Sequence, residues 1–229
     1  MSKTVELLTK NEFTLVVSLP DNRYDFAKAA WEAGADAIKV HINVAHNASK
    51  TQFRELDCYK DVFDDILKDS PVPVGIVIGN EVKLAEEALN EVLKMGFDFI
   101  SLYGRDMPIA LGYDRPIKTF YAIDAFYTLD LVKQISQSFV SDVIEASILN
   151  PSNYGTSLSL ETLLKYQQIV QASKLPVIIP TQHRIKPSEI KDLKLIGVKG
   201  VMIGAVVIGN CVESIFDAVK RYKESIIQT

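Results

Sequence analysis

A short apolar segment of this chain, AIKVHIN, carries a polar residue at every second position. In a β-strand Lys39, His41 and Asn43 would therefore point to the same face. The segment VIEASI alternates in the same way and carries Glu145. A lysine and a glutamate buried together can move protons on a substrate, because burial and the opposite charge shift their pKa values. We predict Lys39 and Glu145 as an acid/base pair, with His41 and Asn43 orienting substrate hydroxyls or stabilising an enolate.

The same residues allow two other interpretations. A desolvated lysine, either Lys39 or Lys118, can form a Schiff base with a carbonyl substrate. Alternatively, Lys39 and Glu145 form an ion pair that fills polar space inside the fold without catalysis. Further polar residues in or at the ends of predicted strands extend the candidate substrate site: Tyr103, Lys118, Asp124 and Gln182.

The three histidines, His41, His46 and His183, all fall at predicted strand ends. Imidazoles can bind a divalent metal, here with Glu145 as a further ligand. The His-x4-His spacing of the first two, however, crosses a strand end and is not that of a helical metal site. We therefore predict no metal and no other cofactor, and keep a divalent metal as the alternative.

Two segments that follow predicted strands have both a structural and a functional interpretation. Asn80 precedes a predicted helix and is expected to cap it, with Glu81 in the first turn and a substrate contact as the alternative. The segment NPSNYGTSLS is rich in hydroxyl groups and contains a glycine hinge. It is either a lid that closes over substrate or a solvated loop that ends in a Ser159 helix cap.

The elements that position these residues follow a repeating plan. Three helix-like segments end at Gly34, Gly96 and Gly197, each shortly before a β-branched apolar run, and glycine closes a helix cheaply in the left-handed conformation. Strands are predicted at Phe13–Ser18, Ala37–Asn43, Val72–Ile78, Phe97–Tyr103, Ile117–Ile123, Asp142–Leu149, Pro176–Pro180 and Gly200–Gly204. Helices are predicted at Tyr24–Ala33, Phe53–Lys68, Val82–Met95, Ala125–Ser138, Leu160–Ser173, Pro187–Ile196 and Val212–Ile226.

Eight strands alternating with helices predict a single α/β domain, a (β/α)8 TIM barrel spanning residues 1–229, and an open sheet of six to eight strands is the alternative. Between Tyr103 and Ile117 the sequence is too short and too interrupted by Pro and Gly for a full helix. We therefore expect a shortened or missing helix after the fourth strand. Met1–Asn11 is predicted as a short helix under the barrel floor. Active sites of such barrels lie at the C-terminal ends of the strands.

Composition limits the partners. The net charge is −4 and no basic stripe occurs, which argues against nucleic acid. No apolar run approaches the ~20 residues of a membrane span, and the N-terminus lacks the apolar core of a signal peptide. The two cysteines, Cys58 and Cys211, have no motif spacing and are expected to be reduced thiols of a cytoplasmic protein. A homo-oligomer is left open.

The segment LPVIIPTQHRIKPSEIKDLKLIGVKGVMIGAVVIG resembles the last two βα units of the ribulose-phosphate-binding barrel superfamily. Within it, Arg184-Ile185 with Pro187 and Glu189, together with the strand IKVHIN, resembles the N-acetylmannosamine-6-phosphate 2-epimerase family. This resemblance implies a substrate phosphate held by the last two strand exits. The implied phosphate-binding residues are His183, Arg184, Gly204 and Gly209.

The sequence departs from that family at its catalytic positions. The family's seventh-strand glutamate falls on Gln182, the glycine after it falls on His183, and its third-strand lysine has no counterpart in VGIVIGNE. Epimerisation by that family's residues is therefore not expected. The predicted function is an enzyme acting on a small phosphorylated, sugar-like substrate by proton transfer, of the isomerase or epimerase type. A Schiff-base aldolase or lyase and a non-catalytic ligand- or partner-binding barrel are the alternatives.

Overall fold

Eight parallel strands close into a barrel in the computed structural model, which describes residues 2–10, 13–113 and 115–228. Each strand pairs with the next along the chain, and the last pairs with the first, where Thr14 faces Gly200. The chain is a (β/α)8 TIM barrel, which confirms the predicted fold class. The strands, β1 to β8, are Thr14–Ser18, Ala37–His41, Val74–Val77, Phe99–Tyr103, Lys118–Ile123, Val143–Ala146, Val177–Pro180 and Gly200–Ile203.

The helices surround the barrel and bury their apolar faces against the strands. Three predicted helices begin later than expected. The helix predicted at Ala125–Ser138 starts at Leu129, where Thr128 accepts a hydrogen bond from the Leu131 N–H. The helix predicted at Pro187–Ile196 is preceded by a 3-10 turn at Pro187–Glu189, and the third follows β2. The helices described, α1 to α9, are Lys3–Lys10, Tyr24–Glu32, Lys60–Asp69, Val82–Met95, Leu129–Ser138, Leu160–Ala172, Ile190–Leu195, Ala205–Ile208 and Val212–Gln228.

The segment after β2 departs most from the prediction. The helix expected at Phe53–Lys68 begins only at Lys60, and Val44–Ala45 instead pairs with Gln52–Phe53 in a small antiparallel hairpin. Phe53 is buried and stacks on the His41 ring, with ring centroids 4.8 Å apart. That contact fixes Phe53 over the barrel mouth rather than on a helix surface. The hairpin thus lies at the C-terminal end of the barrel.

The connection from β4 to β5 contains two 3-10 turns, Gly104–Asp106 and Ile109–Leu111, with Pro108 between them. Proline removes a backbone donor and restricts the chain, so an α-helix does not propagate here. The described residues of this connection hold no α-helix, which confirms the expected shortened or missing helix after the fourth strand. Conversely, α8 is a short helix after β8 that the sequence analysis did not predict.

The barrel interior changes from apolar to polar along the strands. Near the N-terminal ends Phe99 and Phe120 stack with ring centroids 4.0 Å apart, and Leu8 of α1 packs against the same cluster. The N-terminal helix therefore closes this end as expected, although Met1 and Asn11 of the predicted range lie outside the described residues. Further along the strands the inward side chains become polar. No helix in the described part of the chain is long and apolar enough to cross a membrane.

Candidate active site

A cavity of about 240 Å³ occupies the C-terminal end of the barrel interior. Inward-facing residues of the strands form its floor and walls, and the loops that follow them form its rim. Parallel strands of a barrel present their C-terminal ends at one face, which is where barrel enzymes carry their chemistry. Of the residues named as candidates from sequence, those that line this cavity are Lys39, His41, His46, Asn80, Tyr103, Glu145, Gln182 and Gly204.

Lys39 and Glu145 form an ion pair at the cavity floor. The Nζ of Lys39 lies 3.3 Å from Oε2 and 3.5 Å from Oε1 of Glu145, and each side chain is 7% exposed. Ser101 donates to Oε2 at 2.7 Å, and Ser147 donates to Oε1 at 3.1 Å. Three donors therefore fix the orientation of the carboxylate, and the ammonium stays beside the space that a ligand would fill.

His41 is held in place from both sides. The amide of Asn22 donates to the His41 carbonyl oxygen at 2.6 Å and accepts from the His41 N–H at 3.1 Å. The imidazole Nε2 lies 3.3 Å from the Ser18 hydroxyl, and Nδ1 is buried with no partner among the described residues. Burial above all, with the neighbouring His46 and Lys39, keeps the pKa of His41 well below its usual value. His41 is thus a neutral, fixed imidazole at pH 7.

The hairpin after β2 brings His46 over the cavity, with its ring centroid 4.8 Å from that of His41. The Ser49 backbone N–H donates to Nδ1 of His46 at 3.2 Å. The neutral ring therefore carries its proton on Nε2. Burial first, and then the charge of Lys39, lower the pKa of His46 to about 4. His46 is a neutral hydrogen-bond donor, a role that its type alone does not reveal.

A further part of the cavity wall is formed by three residues, Tyr103, Tyr154 and Gln182. Gln182 donates from Nε2 to the Tyr154 hydroxyl at 2.7 Å, and its Oε1 accepts from the Leu149 N–H at 2.8 Å. Burial raises the pKa of Tyr103 above its usual value, so its hydroxyl stays protonated. The loop that follows β6 thereby supplies Tyr154 to the wall. At its end, Ser159 accepts from the Thr162 N–H as a helix cap.

The exits of β3 and β4 contribute Asn80, which the sequence analysis named as an alternative substrate contact, and two residues that it did not assign to the site. Asp106 and Arg105 line the cavity from the 3-10 turn after β4. Arg105 is ion-paired with Asp124, and its guanidinium lies 4.4 Å from the centre of the Tyr103 ring. Asn80 also lines the cavity, and the N-cap position of the helix that begins at Val82 is Glu81, so the expected Asn80 cap is corrected. The available signal was the position of Asp106 in the short turn that follows β4.

The seventh and eighth strand exits present hydroxyl and backbone groups. Thr181 and Gly204 both line the cavity, and the Gly204 N–H donates to Thr181 Oγ1 at 3.0 Å. Helix α8 begins immediately after Gly204, and the first N–H groups of a helix have no partner within it. In the described residues, the two cations that line the cavity, Lys39 and Arg105, both pair with carboxylates.

The structure places one predicted site residue at the wrong end of the barrel. Lys118 is the first residue of β5, and its Nζ lies 2.8 Å from Oδ1 of Asp142. Its side chain is 41% exposed. Lys118 therefore lies away from the candidate site, because the C-terminal cavity is at the other end of the strand.

Other predicted residues lie outside the residues that line the cavity. Asn43 adopts φ 55° at the base of the hairpin, Asp124 pairs with Arg105 at the rim, and Gly209 follows α8 with φ 73°. His183 is buried, with Nδ1 3.0 Å from the Thr156 hydroxyl. Arg184 is exposed on the surface next to it. In the described part of the chain, no cluster of three or more His, Cys, Asp or Glu residues is arranged to hold a metal ion.

Comparison with known proteins identifies the fold without a family. No family model matches this chain, and no curated protein matches it. A thiamine phosphate pyrophosphorylase from Pyrococcus furiosus superimposes with a TM-score of 0.65 at 17% identity, covering 96% of this chain and 98% of that one. A mutant tryptophan synthase alpha-subunit from the same organism gives 0.72 at 14% identity, covering 93% and 98%. At such identities the likeness shows the barrel fold alone.

Proposed function

We propose that this protein is an enzyme that acts on a small phosphorylated, sugar-like substrate at the C-terminal cavity of the barrel. The observation that carries the proposal is the Lys39–Glu145 ion pair at the cavity floor. Burying two charges is costly, and replacing such pairs by apolar residues is often neutral or stabilising. Charged groups buried beside a cavity are therefore candidates for catalysis rather than for stability.

The reaction that fits this pair is proton transfer at a carbon next to a carbonyl group, as in an isomerase or epimerase. The Glu145 carboxylate accepts the proton, and the electron pair of the broken C–H bond moves onto the carbonyl oxygen. The Lys39 ammonium stabilises the negative charge that develops on that oxygen. The neutral Nε2–H of His46 and the hydroxyl of Tyr103 are further donors for substrate oxygens. Return of the proton, to the same carbon or a neighbouring one, completes the reaction.

The phosphate is proposed to bind at the β7 and β8 exits. Barrel enzymes frequently hold phosphate between these loops and a short extra helix, and α8 occupies that position. Gly204 and Thr181 line the cavity there. Because the cavity cations are already paired, backbone N–H groups and hydroxyls would supply most of the donors. One structural neighbour is named for thiamine phosphate and the other for tryptophan synthase. Both names are compatible with the proposal of a small-molecule enzyme, but they do not identify the substrate of this protein.

Schiff-base chemistry at Lys39 is the second candidate, since Lys39 is buried and lines the cavity. Incubation with a carbonyl substrate and borohydride, followed by mass spectrometry, distinguishes it: a reduced adduct on Lys39 indicates a lyase or aldolase. Proton transfer leaves no such adduct.

The first experiment is a thermal-shift screen against phosphorylated sugars, their unphosphorylated counterparts, inorganic phosphate and divalent metals. A ligand that binds only the native state raises the melting temperature by mass action. Ligands that bind are then incubated in deuterated water, and proton exchange is followed by NMR. Exchange by the wild type that is lost in Lys39→Met and in Glu145→Gln supports the proposal. Ligand binding without exchange or conversion indicates a non-catalytic barrel.

A further inference from the structure

Asp106 and Glu145 are the two buried carboxylates among the described residues, and only Glu145 accepts hydrogen bonds from the protein. The residue surface of Asp106 is 7% exposed, yet no hydrogen bond reaches its carboxylate, and its one ionic contact is the Nε of Arg105 at 3.8 Å. The guanidinium of Arg105 is itself ion-paired with Asp124 and packed on Tyr103. Arg105 therefore compensates Asp106 only weakly.

Two half-buried carboxylates elsewhere in the fold show what a structural role looks like. Asp98 accepts hydrogen bonds from Ser2, Lys3 and Thr4 at 2.6–3.0 Å. Asp36 accepts from the Leu15 N–H at 2.8 Å and from Lys223 at 2.6 Å. Buried polar groups are normally satisfied in this way, because leaving one without a partner costs free energy. Asp106 is the exception, and it lines the cavity.

The surroundings of Asp106 add no compensating cation besides Arg105. The charged groups that act on it are Arg105 on its own turn, Glu81 after β3 and Asp124 after β5. Burial first, opposed by Arg105 and assisted by Glu81 and Asp124, raises the pKa of Asp106 above its usual value. Asn80, at the exit of the neighbouring strand β3, also lines the cavity. A hydrogen-bond donor to the Asp106 carboxylate can therefore come from a ligand bound in the cavity.

We propose that Asp106 binds a hydrogen-bond donor of the ligand, a hydroxyl or an ammonium group, at the end of the ligand remote from its phosphate. The strands β4 and β8 are four positions apart in a ring of eight, so Asp106 and Gly204 lie across the cavity from each other. This inference rests on the proposed function for the phosphate end. It narrows the substrate class to phosphorylated polyols or amino sugars whose donor reaches the β4 side.

Asp106→Asn tests the assignment, with Asp130→Asn as control because the Asp130 side chain is 86% exposed. The ligand-free variant is measured first. If Asp106 is an uncompensated carboxylate, the neutral amide raises the melting temperature at pH 7 by ~2–4 °C. That gain shrinks at lower pH, where the carboxylate of the wild type takes up a proton. A lower melting temperature at pH 7 than the wild type overturns the inference, because a structural carboxylate loses partners on substitution.

Ligand binding is measured next by calorimetry with glucose 6-phosphate, glucosamine 6-phosphate and inorganic phosphate. In Asp106→Asn the two sugar phosphates are expected to bind ~10- to 100-fold more weakly while inorganic phosphate is unaffected. A larger loss for the amino sugar indicates an ammonium partner, and equal losses indicate a hydroxyl. Equal binding of the sugar phosphates by wild type and variant overturns the inference and leaves the proposed function standing. If no phosphorylated compound binds the wild type, the proposed function fails, and the ligand-free comparison alone decides the role of Asp106.

Discussion

The Nζ of Lys39 lies 3.3 Å from Oε2 of Glu145, although the two residues are 106 positions apart in sequence. They come from β2 and β6, which are four positions apart in the ring of eight strands, so the ion pair spans the barrel interior. Only closure of the sheet brings these two side chains together. The pair is thus a cross-barrel contact and a charged cavity floor at the same time.

Removing either charge of this pair is expected to destabilise the fold. Breaking a buried ion pair from one side costs roughly 3–5 kcal/mol, because the other charge remains buried without compensation. We expect this loss in the free energy of unfolding for Lys39→Met and for Glu145→Gln, measured by urea denaturation. The double variant is expected to recover a large part of it, since no uncompensated charge is left. Additive losses in the double variant would contradict a direct interaction.

Stability is expected to fall when the pH is lowered from about 6.5 to about 4. The pKa of His46 is lowered to about 4 in the folded protein, and His41 shifts in the same direction. Within this window the unfolded chain binds more protons, so the free energy of unfolding rises with pH and levels off above the unfolded pKa. One histidine with this pKa shift lowers the free energy of unfolding by about 3 kcal/mol when the pH falls across the window. Urea denaturation across the window checks this, and His46→Gln is expected to flatten the dependence. If the free energy of unfolding of His46→Gln depends on pH as steeply as that of the wild type, His46 is solvated in the folded protein.

The sequence predicted the scaffold well because helix ends and strand patterns are local signals. Glycines such as Gly34 and Gly96 adopt positive φ after a helix, as the repeat implied. The strict alternation in AIKVHIN likewise predicted that Lys39 and His41 share the inward face. The hairpin was missed because Phe53 is fixed by a long-range contact with His41, which no local pattern encodes. The residues that follow the hairpin have helical periodicity. The predicted helix was therefore extended back to Phe53, although it begins only at Lys60.

The site was harder to predict than the scaffold because residue type does not report position along a strand. Both lysines lie in predicted strands, but Lys118 is the first residue of its strand, whereas Lys39 is the third of five and lines the C-terminal cavity. Asp106 lay in a segment identified only by its broken pattern. The charges that act on it come from the exits of β3, β4 and β5, which lie side by side in the folded sheet but far apart in the sequence.

Gly75 is expected to tolerate no side chain. It lies inside β3, and a Cβ built on it would overlap the ring of Phe99, which is itself stacked on Phe120. Overfilling a close-packed interior typically costs ~1–3 kcal/mol. Gly75→Ala should lower the free energy of unfolding by this amount in urea denaturation. Phe99→Leu introduced into that variant should recover part of the loss, whereas Phe99→Leu alone should be destabilising. Strictly additive losses would show that the Phe99 ring is not the obstacle.

Lys118→Met is the matched control for Lys39→Met. The sequence alone could not decide which of the two lysines acts at the site, and comparing the two variants can. Lys118 pairs with Asp142 at the N-terminal end of β5, and Arg115 remains bound to the same carboxylate at 2.8 Å when Lys118 is removed. A half-exposed ion pair contributes at most about 1 kcal/mol, so the melting temperature should change little. The ligand-induced thermal shift should persist in Lys118→Met and disappear in Lys39→Met. Borohydride treatment with a carbonyl ligand should leave Lys118 unmodified. If Lys118→Met keeps its fold by circular dichroism but loses the ligand-induced thermal shift, the ligand binds at the N-terminal end of the barrel. That result would contradict the proposed mechanism.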